Sequence, residues 1–519
     1  MPQSLIAMYR LTGSVRSATF NSWMDPVLHL IDIGDLRIKH DDGTRQQALF
    51  SAIREKIVKG LWAKNGKLPS TRKLSQELNI SRNTVIAAYE QLVAEGYLIS
   101  KKGSGFYVAV ELPEQYLPEP CFTESNSSAS CFPSDYFSEP QQTQTVLALK
   151  HDFDVNRAFA PGVPDLAMFP SSLWQKYLSR HLSRACLLGN QDIQGSMALR
   201  SALADYLASS RSVNCTTERI IITSGAQQAL TIASMVVLKH GDKVLMEQPG
   251  YAQMRKLIQF QNYQFEPLHV QEKVGFDVDD VTSSDADALY ITPSNQYPMG
   301  TTLNTEQRGC IINWAVKKSR WIIEDDYDSE FQFAHRPYTS LQGLAAQMGR
   351  DDRVLYVGSF SKIMFNGLRL GYLVVPESLV NDCLVVKDAL SGDSPTHTQE
   401  ALADFIVEGG LLRHIRKMRR LYKMKHEQMC KSIEKHFAGK VRVISQAAGL
   451  HITLKWQSGL DEHEWALRAK AEGIVLRPIS YYEHADFCTR SWHGAVLGYG
   501  NVALEDIDSL IKRLSNLFR

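Results

Sequence analysis

The most constraining feature of this sequence is a regular alternation of short β-branched runs with longer helical segments, which continues from about Leu147 to the end of the chain. A chain that alternates in this way forms an α/β domain, because each helix packs its apolar stripe against the sheet before the next strand begins. We therefore predict an α/β domain with a mixed, mostly parallel sheet. The predicted strands are Arg219–Thr223, Lys243–Met246, Ala288–Thr292, Trp321–Glu324, Val354–Gly358 and Tyr372–Pro376.

Charge is distributed unevenly along a chain that is almost neutral overall. The 519 residues carry 57 Lys and Arg against 56 Asp and Glu, yet residues 44–110 hold 11 basic and 4 acidic side chains, a net charge of +7. Residues 111–145 hold six acidic and no basic side chains, with five prolines and six serines, a composition too polar to bury a core. The sequence predicts an unassigned extension at 1–43, a basic domain at 44–110, a flexible linker at 111–150 and the α/β domain at 151–519.

Cysteine usage and hydropathy exclude several classes of protein. The eight cysteines include no CxxC pair, which disfavours both a zinc framework and a disulfide scaffold. The longest apolar runs are about ten residues, short of the roughly 20 that a membrane-spanning helix needs. The first thirty residues lack the apolar core of a signal peptide. These features predict a cytoplasmic protein with no metal site and no membrane segment.

The basic domain carries the pattern of a helix-turn-helix followed by a β-hairpin. The hairpin has a basic, glycine-rich tip and forms a wing, while the third helix presents its first turn to DNA. The plainer alternative is a small helical domain with a solvated positive face. The predicted elements are the helices Thr44–Leu61, Ser70–Leu78 and Arg82–Glu95 and the strands Tyr97–Ser100 and Phe106–Val110.

Two stretches of this domain, LPSTRKLSQELNISRNTVIAAYEQLVAEGYL and KKGSGFYV, resemble the winged helix-turn-helix of GntR-type regulators. The resemblance covers residues 44–110 and implies dimeric binding to two half-sites of double-stranded operator DNA. It implies DNA contacts at the start of the second helix, in the first turn of the third helix and at the hairpin tip. These residues are Ser70, Thr71, Arg72, Arg82, Asn83, Thr84, Gly103, Ser104 and Gly105.

A lysine between small residues marks the candidate chemical centre of the α/β domain. Ser359-Phe360-Ser361-Lys362 follows a predicted strand, and Arg369 lies seven residues further on. An amine attacks an aldehyde only when it is neutral, and a semi-buried pocket beside a second cation lowers its pKa. Lys362 is thus a candidate for a Schiff base beside a phosphate, against the plainer interpretation of a surface lysine.

Three further motifs indicate a flat, phosphorylated ligand. Residues 223–228, TSGAQQ, end a strand and open a helix, a turn that offers free backbone N–H groups to a phosphate. Residues 322–327, IIEDDY, end an apolar strand in carboxylates and a tyrosine, which can tune an aromatic ring. Tyr251 follows another strand and can stack on such a ring. Taken singly, each motif also fits an ordinary strand end or turn.

Together, GNQDIQGSMALRSALADYL, SGAQQAL, EQPGY, TPSNQYPMG, EDDYDSEF and SFSK…GLRLGY resemble the fold type I pyridoxal 5′-phosphate aminotransferases over residues 155–519. More specifically, they resemble the aminotransferase-like domain of MocR regulators. The resemblance implies pyridoxal 5′-phosphate as the cofactor, Lys362 as the residue that forms the internal aldimine, and a homodimer.

The same resemblance implies a role for each cofactor contact. Asp325 would pair with the pyridine nitrogen, with Asp326 as the alternative, while Tyr327 would bind the ring oxygen and Tyr251 would stack on the ring. The implied contacts with the phosphate and its surroundings are Ser224, Gly225, Ala226, Gln227, Ser359, Ser361 and Arg369.

Three positions depart from this pattern. Asn295 stands where histidine is common, Met299 stands where a small residue precedes Gly300, and Asn366 stands where proline is common. We expect Asn295 and Met299 on the effector side of the site, so that they bear on ligand specificity rather than on cofactor binding. Arg477 is a candidate contact for an effector carboxylate.

The sequence therefore predicts a DNA-binding transcriptional regulator that senses pyridoxal 5′-phosphate or an amine or amino-acid effector. Two alternatives stay open: an active aminotransferase with an appended DNA-binding module, and a DNA-binding module whose large domain is only a dimerisation scaffold. Acyl transfer by the SxxK at residues 359–362 is disfavoured because no KTG motif follows. A dinucleotide fingerprint at residues 498–503 is disfavoured because the required acidic residue would fall beyond the chain end.

One basic run is not absorbed by this interpretation. Arg413–Lys425 holds seven Lys and Arg and no acidic residue on a predicted helix. Such a run is either a solvated face or a contact for phosphates that flank an operator.

Overall fold

The structure, a computed structural model, describes residues 31, 36, 44–101, 103–109, 157–333 and 339–518. The chain divides into two compact units, Met1–Cys131 and Phe132–Arg519. Apart from Ile31 and Leu36, the predicted extension lies outside the described residues, as does the whole of the predicted linker. Within the described ranges, no helix combines the length and the apolar character needed to cross a lipid bilayer.

The first unit contains three helices and a two-stranded antiparallel hairpin. Serine or threonine hydroxyls cap all three helices by accepting a backbone N–H of the first turn, which satisfies a donor that the helix itself leaves without an acceptor. The elements are α1 (Arg45–Val58), α2 (Thr71–Glu77), α3 (Arg82–Ala94), β1 (Leu98–Lys101) and β2 (Gly105–Val108).

The extension contributes two residues to the core of this unit. The backbone N–H of Ile31 donates to the Lys67 carbonyl at 3.1 Å. The side chains of Ile31 and Leu36 are buried in the same apolar cluster as Leu49, Ile53 and others from the three helices. At these two positions the extension, which sequence left unassigned, completes the core of the first unit.

A seven-stranded mixed sheet forms the centre of the second unit. Its strands are β3 (Ile220–Thr223), β4 (Lys243–Gln248), β5 (Gln264–His269), β6 (Ala288–Ile291), β7 (Trp321–Asp326), β8 (Val354–Ser359) and β9 (Gly371–Val374). Their order is β3-β9-β8-β7-β6-β4-β5. Strand β9 runs antiparallel to the other six strands, which are parallel to one another. The predicted α/β fold with a mixed, mostly parallel sheet is confirmed.

Helices cover the sheet, and a second sheet follows towards the C-terminus. The helices of the first part are α4 (Ser171–Leu182), α5 (Met197–Arg211), α6 (Ala226–Val237), α7 (Ala252–Phe260), α8 (Val278–Ser283), α9 (Thr305–Lys318), α10 (Leu341–Gln347), α11 (Val380–Ser391) and α12 (Thr396–Val407). The C-terminal part contains α13 (Gly410–Phe437), β10 (Arg442–Val443), β11 (His451–Trp456), α14 (Glu462–Ala471), β12 (Arg477–Pro478), β13 (His493–Gly498) and α15 (Ile507–Leu517). Its four strands form an antiparallel sheet in the order β10-β11-β13-β12.

The topology determines where a ligand can bind. Because β3, β4, β6, β7 and β8 run in the same direction, their carboxyl ends meet at one edge of the sheet. Open α/β sheets bind their ligands at that edge. The motifs that the sequence singled out, which follow these strands, are therefore brought together.

Candidate functional site

A cavity of about 350 Å³ opens at the carboxyl edge of the large sheet. Its wall includes nine of the eleven predicted cofactor-site residues: Ala226, Gln227, Tyr251, Asp325, Tyr327, Ser359, Ser361, Lys362 and Arg369. The other two, Ser224 and Gly225, lie beside Arg369 of that wall. Arg369 Nη2 donates to the Ser224 carbonyl at 2.8 Å, and a Cβ on Gly225 would stand 3.2 Å from the same guanidinium.

Lys362 follows β8 and extends its amine towards a backbone carbonyl across the cavity. Its Nζ donates to the Gly162 carbonyl at 2.6 Å. Gly162 has a φ of +79°, a conformation that favours glycine, and a Cβ there would lie 2.3 Å from Nζ and displace the amine. Burial lowers the pKa of Lys362 from 10.5 to about 8; Arg477 also lowers it, while Asp328 and Asp325 act in the opposite direction. A lysine in this state has a substantial neutral fraction near pH 8.

The two adjacent aspartates of β7 point to opposite faces, as successive residues of a strand do. Asp325 lines the cavity, where its Oδ2 accepts from Tyr290 OH at 2.7 Å. Burial raises the pKa of Asp325 to about 7. Asp326 instead accepts from Arg211 Nε at 2.7 Å and from Tyr356 OH at 2.7 Å. The geometry therefore places Asp325, and not Asp326, at the candidate site.

Four buried polar atoms at the cavity have no hydrogen-bond partner among the described residues. They are Gln227 Oε1, Asp325 Oδ1, Tyr327 OH and Asn366 Oδ1. Most buried polar atoms in folded proteins are paired, because leaving one unpaired costs about 1–3 kcal/mol. Since all four belong to residues that line one cavity, they indicate a ligand that carries its own donors and acceptors.

The start of α6 provides a site for an anion beside these atoms. Its N-cap, Gly225, has a φ of +92° and offers no side-chain cap, so the amides of the first turn keep their hydrogens for a ligand. Ala226 and Gln227 from this turn border the cavity, as does the exposed Arg369. Helix amides and a guanidinium together suit a phosphate.

Aromatic side chains and a second arginine also line the cavity. Arg477 lies on β12, with its guanidinium carbon 5.0 Å from the centre of the Tyr481 ring. Burial disfavours the charged form of Arg477 and lowers its pKa, but Tyr482, Tyr297 and Tyr481 raise the pKa by more than that. The groups that raise it are tyrosines rather than carboxylates.

Sequence reasoning missed most of this aromatic wall. Tyr297 stands inside the quoted TPSNQYPMG motif, and Tyr481 and Tyr482 follow Arg477 by four and five residues. The doubled tyrosine near the candidate arginine was an available signal. No sequence signal pointed to His451, because it reaches the cavity from β11 of the second sheet. Its Nε2 lies 3.1 Å from the Pro298 carbonyl.

The expectation that Asn295 and Met299 line the effector side was wrong. Neither borders the cavity. Asn295 turns inward, and its Nδ2 donates to Asp328 Oδ1 at 2.9 Å, while Met299 is 2% exposed within an apolar cluster. The third departure does border the cavity: Asn366 Nδ2 donates to the Gly162 carbonyl at 3.3 Å.

In the first unit, the predicted DNA contacts lie at the starts of two helices. Ser70 and Ser81 use their hydroxyls as caps, accepting from Lys73 N at 3.3 Å and from Thr84 N at 3.2 Å. Arg72, Arg82 and Asn83 are exposed, and Thr71 and Thr84 are partly exposed. Arg82 Nε lies 3.5 Å from Thr71 Oγ1, a contact that brings the two helix starts together.

The wing presents an exposed tip on a basic stem. Gly103 and Gly105 have φ values of +76° and +108°, a conformation that favours glycine. Ser104 Oγ lies 2.6 Å from Tyr107 OH, which helps to fix the turn. The ammonium groups of Lys67 and Lys101 lie 5.8 and 4.7 Å from the centre of the Tyr107 ring, so both cations are held beside the tip.

Both units match described protein families. Residues 45–108 match the model of the gntR family of bacterial regulatory proteins, and residues 169–492 match that of class I and II aminotransferases. The chain is 32% identical over 481 residues to the probable rhizopine catabolism regulatory protein MocR of Rhizobium meliloti, covering 92% of this chain and 94% of that protein. It is 27% identical over 462 residues to the pyridoxine biosynthesis transcriptional regulator PdxR of Corynebacterium glutamicum, covering 89% and 93%.

Solved structures match the second unit. The α-aminoadipate aminotransferase LysN of Thermus thermophilus has a TM-score of 0.65 at 24% identity, covering 72% of this chain and 94% of its own. The kynurenine aminotransferase of Pyrococcus horikoshii has a TM-score of 0.65 at 22% identity, covering 75% and 96%. These similarities show the aminotransferase fold.

Proposed function

This chain belongs to the MocR type of transcriptional regulators, which join a GntR-type DNA-binding domain to an aminotransferase-like domain, and we propose that it senses an amine through bound pyridoxal 5′-phosphate. One observation carries the proposal. A lysine with a lowered pKa and four buried polar atoms without a partner among the described residues border a single cavity. A cavity that is only part of a dimerisation scaffold has no need of either feature.

The residues present fit the cofactor. When bound, pyridoxal 5′-phosphate supplies an aldehyde that exchanges between amines, attached to an electron-withdrawing ring. Lys362 would provide the protein's own amine, and the free oxygen of Asp325 would accept the proton of the ring nitrogen. Tyr327 would donate to the ring oxygen, and Tyr251 would stack on the ring. Arg369 and the first-turn amides of α6 would hold the phosphate.

The aromatic wall favours an effector that carries a carboxylate as well as an amine. Arg477 brings a permanent positive charge into a cavity whose nearby groups are phenols. A buried cation gains most from an anion that fills the space beside it. An amino acid or a related amine with a carboxylate supplies that anion, while its amine competes with Lys362 for the cofactor.

The proposed architecture assigns one task to each segment. Residues 44–110 bind operator DNA, residues 111–150 connect, and residues 151–519 bind the cofactor and effector. We also propose a cytoplasmic homodimer, since two copies would present two winged helices to two half-sites. Occupancy of the cavity would then change how the two DNA-binding domains are positioned.

Mixing the purified protein with candidate amines tests the proposal against its rivals. Sensing predicts a shift in the visible absorbance of the bound cofactor without accumulation of a keto acid. Repeated turnover to a keto acid would identify an aminotransferase with an appended DNA-binding module. Failure to bind pyridoxal 5′-phosphate at all would leave the large domain as a scaffold. Footprinting upstream of the protein's own gene, with and without the cofactor, tests operator binding.

Loading of the cofactor should depend on pH with a midpoint near the pKa of Lys362. Only the neutral amine attacks the aldehyde, so the loading rate should rise as the pH rises through about 8, the pKa that burial gives this side chain. At pH 7.5 about a quarter of the amines would be neutral, against about one in a thousand for a lysine with the usual pKa near 10.4. Stopped-flow loading of the apoprotein between pH 6.5 and 9.5 measures the midpoint. A midpoint near 10 would contradict a buried, poised lysine.

Arg82→Ala should weaken operator binding by about 1–3 kcal/mol if its guanidinium reads a base edge. Arg82 is exposed in the first turn of α3, the part of a recognition helix that contacts bases. Fluorescence anisotropy on the footprinted DNA measures the loss. Lys59→Ala is the matched control, because Lys59 is an exposed cation that caps the far end of α1 and pairs with Glu55. Equal affinities for Arg82→Ala and the native protein would overturn the docking.

A further inference from the structure

We infer that one face of α13 is a second DNA-binding surface, which contacts the phosphate backbone flanking the operator. The inference rests on the proposed function as a DNA-binding regulator. The surface, called the basic face below, consists of Arg413, Arg416, Lys417, Arg420 and Lys423, all of which are exposed.

The spacing of these residues places them on one stripe of the helix. Successive separations of three, one, three and three residues keep side chains on the same face of an α-helix. The opposite stripe, which includes His414, Ile415, Met418 and Tyr422, is buried. The buried stripe anchors the helix in the second unit, so the basic face is held on a rigid element.

The basic face lacks the ion pairs that several other exposed arginines of this unit make. Arg180 pairs with Asp404 and Glu408, Arg442 with Glu272, and Arg513 with Glu472. None of the five basic-face residues pairs with a carboxylate among the described residues, and no acidic residue occurs between Gly410 and His426. Like charges three and four residues apart repel, which a binding surface for an anion tolerates because the anion removes the repulsion.

A small cavity beside the basic face points independently to an anion. It has a volume of about 130 Å³, and Arg211, Arg416 and Arg419 contribute to its wall. The hydroxyl of Ser329 also borders it and is buried without a partner among the described residues. Such a hydroxyl can donate to a phosphate oxygen.

One carboxyl group borders the same cavity. Glu330 accepts from Tyr206 OH at 2.8 Å through Oε1. Burial raises the pKa of Glu330, and Asp326 adds to that effect. The raised pKa favours the neutral form, which reduces the repulsion of an anion.

The dimensions match a stretch of DNA backbone. The ten helical steps from Arg413 to Lys423 span about 15 Å along the helix axis, at about 1.5 Å per residue. One DNA strand presents a phosphate for about every 3.4 Å of duplex axis, so the face spans four to five phosphates. DNA is the favoured occupant because the winged helix of the same chain delivers it, and the overall charge of only +1 gives no general attraction to polyanions.

A triple substitution on the full-length, cofactor-loaded protein tests the inference. The triple variant combines Arg416→Gln, Arg420→Gln and Lys423→Gln. It removes three positive charges, and glutamine has a high helix propensity, so the helix itself is preserved. The matched control combines Lys317→Gln, Lys440→Gln and Lys512→Gln, three exposed lysines elsewhere in this unit. The probes are the footprinted fragment trimmed to its protected base pairs, and the same fragment extended by 30 base pairs on each side. Retained cofactor absorbance shows that the large unit is folded in each variant.

The inference predicts a loss that depends on the length of the DNA. The affinity of the triple variant for the extended fragment should be about tenfold or more below that of the native protein near 150 mM salt. The magnitude of the slope of log K against log salt should also decrease by about 2–3 per protomer, because each lost phosphate contact removes about 0.9 from the slope. On the trimmed fragment, the triple variant and the native protein should bind alike, and the control should match the native protein on both probes.

Three results would overturn the inference. The first is that the triple variant and the native protein bind the extended fragment equally. The second is that the control variant loses as much affinity for that fragment as the triple variant does. The third is that the triple variant loses the native protein's binding to phosphatidylglycerol vesicles while its binding to DNA is unchanged. The last result would assign the face to an anionic membrane. In each case the native protein still binds the trimmed fragment. Failure of the native protein to bind either fragment would instead contradict the proposed function.

Discussion

Replacing Lys362 with alanine should abolish covalent retention of pyridoxal 5′-phosphate by this protein. The native protein should keep its visible absorbance through dialysis, because the aldehyde is attached to the protein, whereas Lys362→Ala should lose the cofactor with the buffer. The physical reason is local. Among the described residues, Lys362 is the lysine that borders the cavity, and burial lowers its pKa to about 8.

A second lysine provides a matched control for this result. Burial also lowers the pKa of Lys387 to about 8, and its Nζ donates to the Ile193 carbonyl, but it does not border the cavity. Lys387→Met should therefore retain the cofactor as the native protein does. If Lys387→Met lost the cofactor and Lys362→Ala kept it, a lowered pKa alone would explain capture, and the cavity would have no part in it.

The two neighbouring aspartates of β7 should respond to substitution in opposite ways. Asp326→Asn removes the carboxylate that forms a buried ion pair with Arg211, and both side chains are at most 3% exposed. Breaking a buried ion pair from one side leaves the other charge without compensation, which costs about 3–5 kcal/mol of stability. Asp325→Asn removes a carboxyl group that burial already disfavours in its charged form, so its cost in stability should be below about 1 kcal/mol.

The absorbance of the bound cofactor should respond in the reverse order, more to Asp325→Asn than to Asp326→Asn. Asp325→Asn should change the absorbance of bound pyridoxal 5′-phosphate, since it removes the group proposed to accept the ring proton, while any folded Asp326→Asn protein should keep the native spectrum. Urea denaturation of the apoproteins, followed by tryptophan fluorescence, measures stability, and titration with the cofactor measures the spectrum. A spectral change confined to Asp326→Asn would show that the assignment of the two residues is inverted.

These aspartates also show how far a sequence can lead. The alternation of a strand fixes that Asp325 and Tyr327 share one face and that Asp326 takes the other. It does not determine which face borders the cavity. That choice depends on Arg211 and Tyr356, which reach Asp326 from other elements of the chain, and pairing at that distance in sequence leaves no local pattern.

The first unit was more predictable because its determinants are local. Ser70 and Ser81 precede their helices by one residue and cap them, and the glycines of the wing stand where the turn requires a positive φ. The contribution of Ile31 could not be foreseen, because a single apolar residue that packs from an extension has no periodicity.

The second sheet was missed for a different reason. Its strands β10 and β12 have two residues each, too few to show an alternation. In the large sheet, the edge strand β5 was also missed, because it contains Glu266 and Pro267, which interrupt the apolar pattern. Arg477 was identified only as a candidate because its place in the cavity depends on the pairing of β12 with β13. Gly162, which meets the amine of Lys362, comes from a segment 200 residues earlier.

Borohydride reduction of the loaded protein, followed by peptide mass spectrometry, tests the central claim most directly. Reduction makes the link between cofactor and amine permanent, so the modified lysine can be identified among all lysines of the chain. We predict one pyridoxyl group per chain, on Lys362, with Lys387 unmodified. A reduced protein without a pyridoxyl group on Lys362 would contradict the proposal that this regulator senses amines through its cofactor.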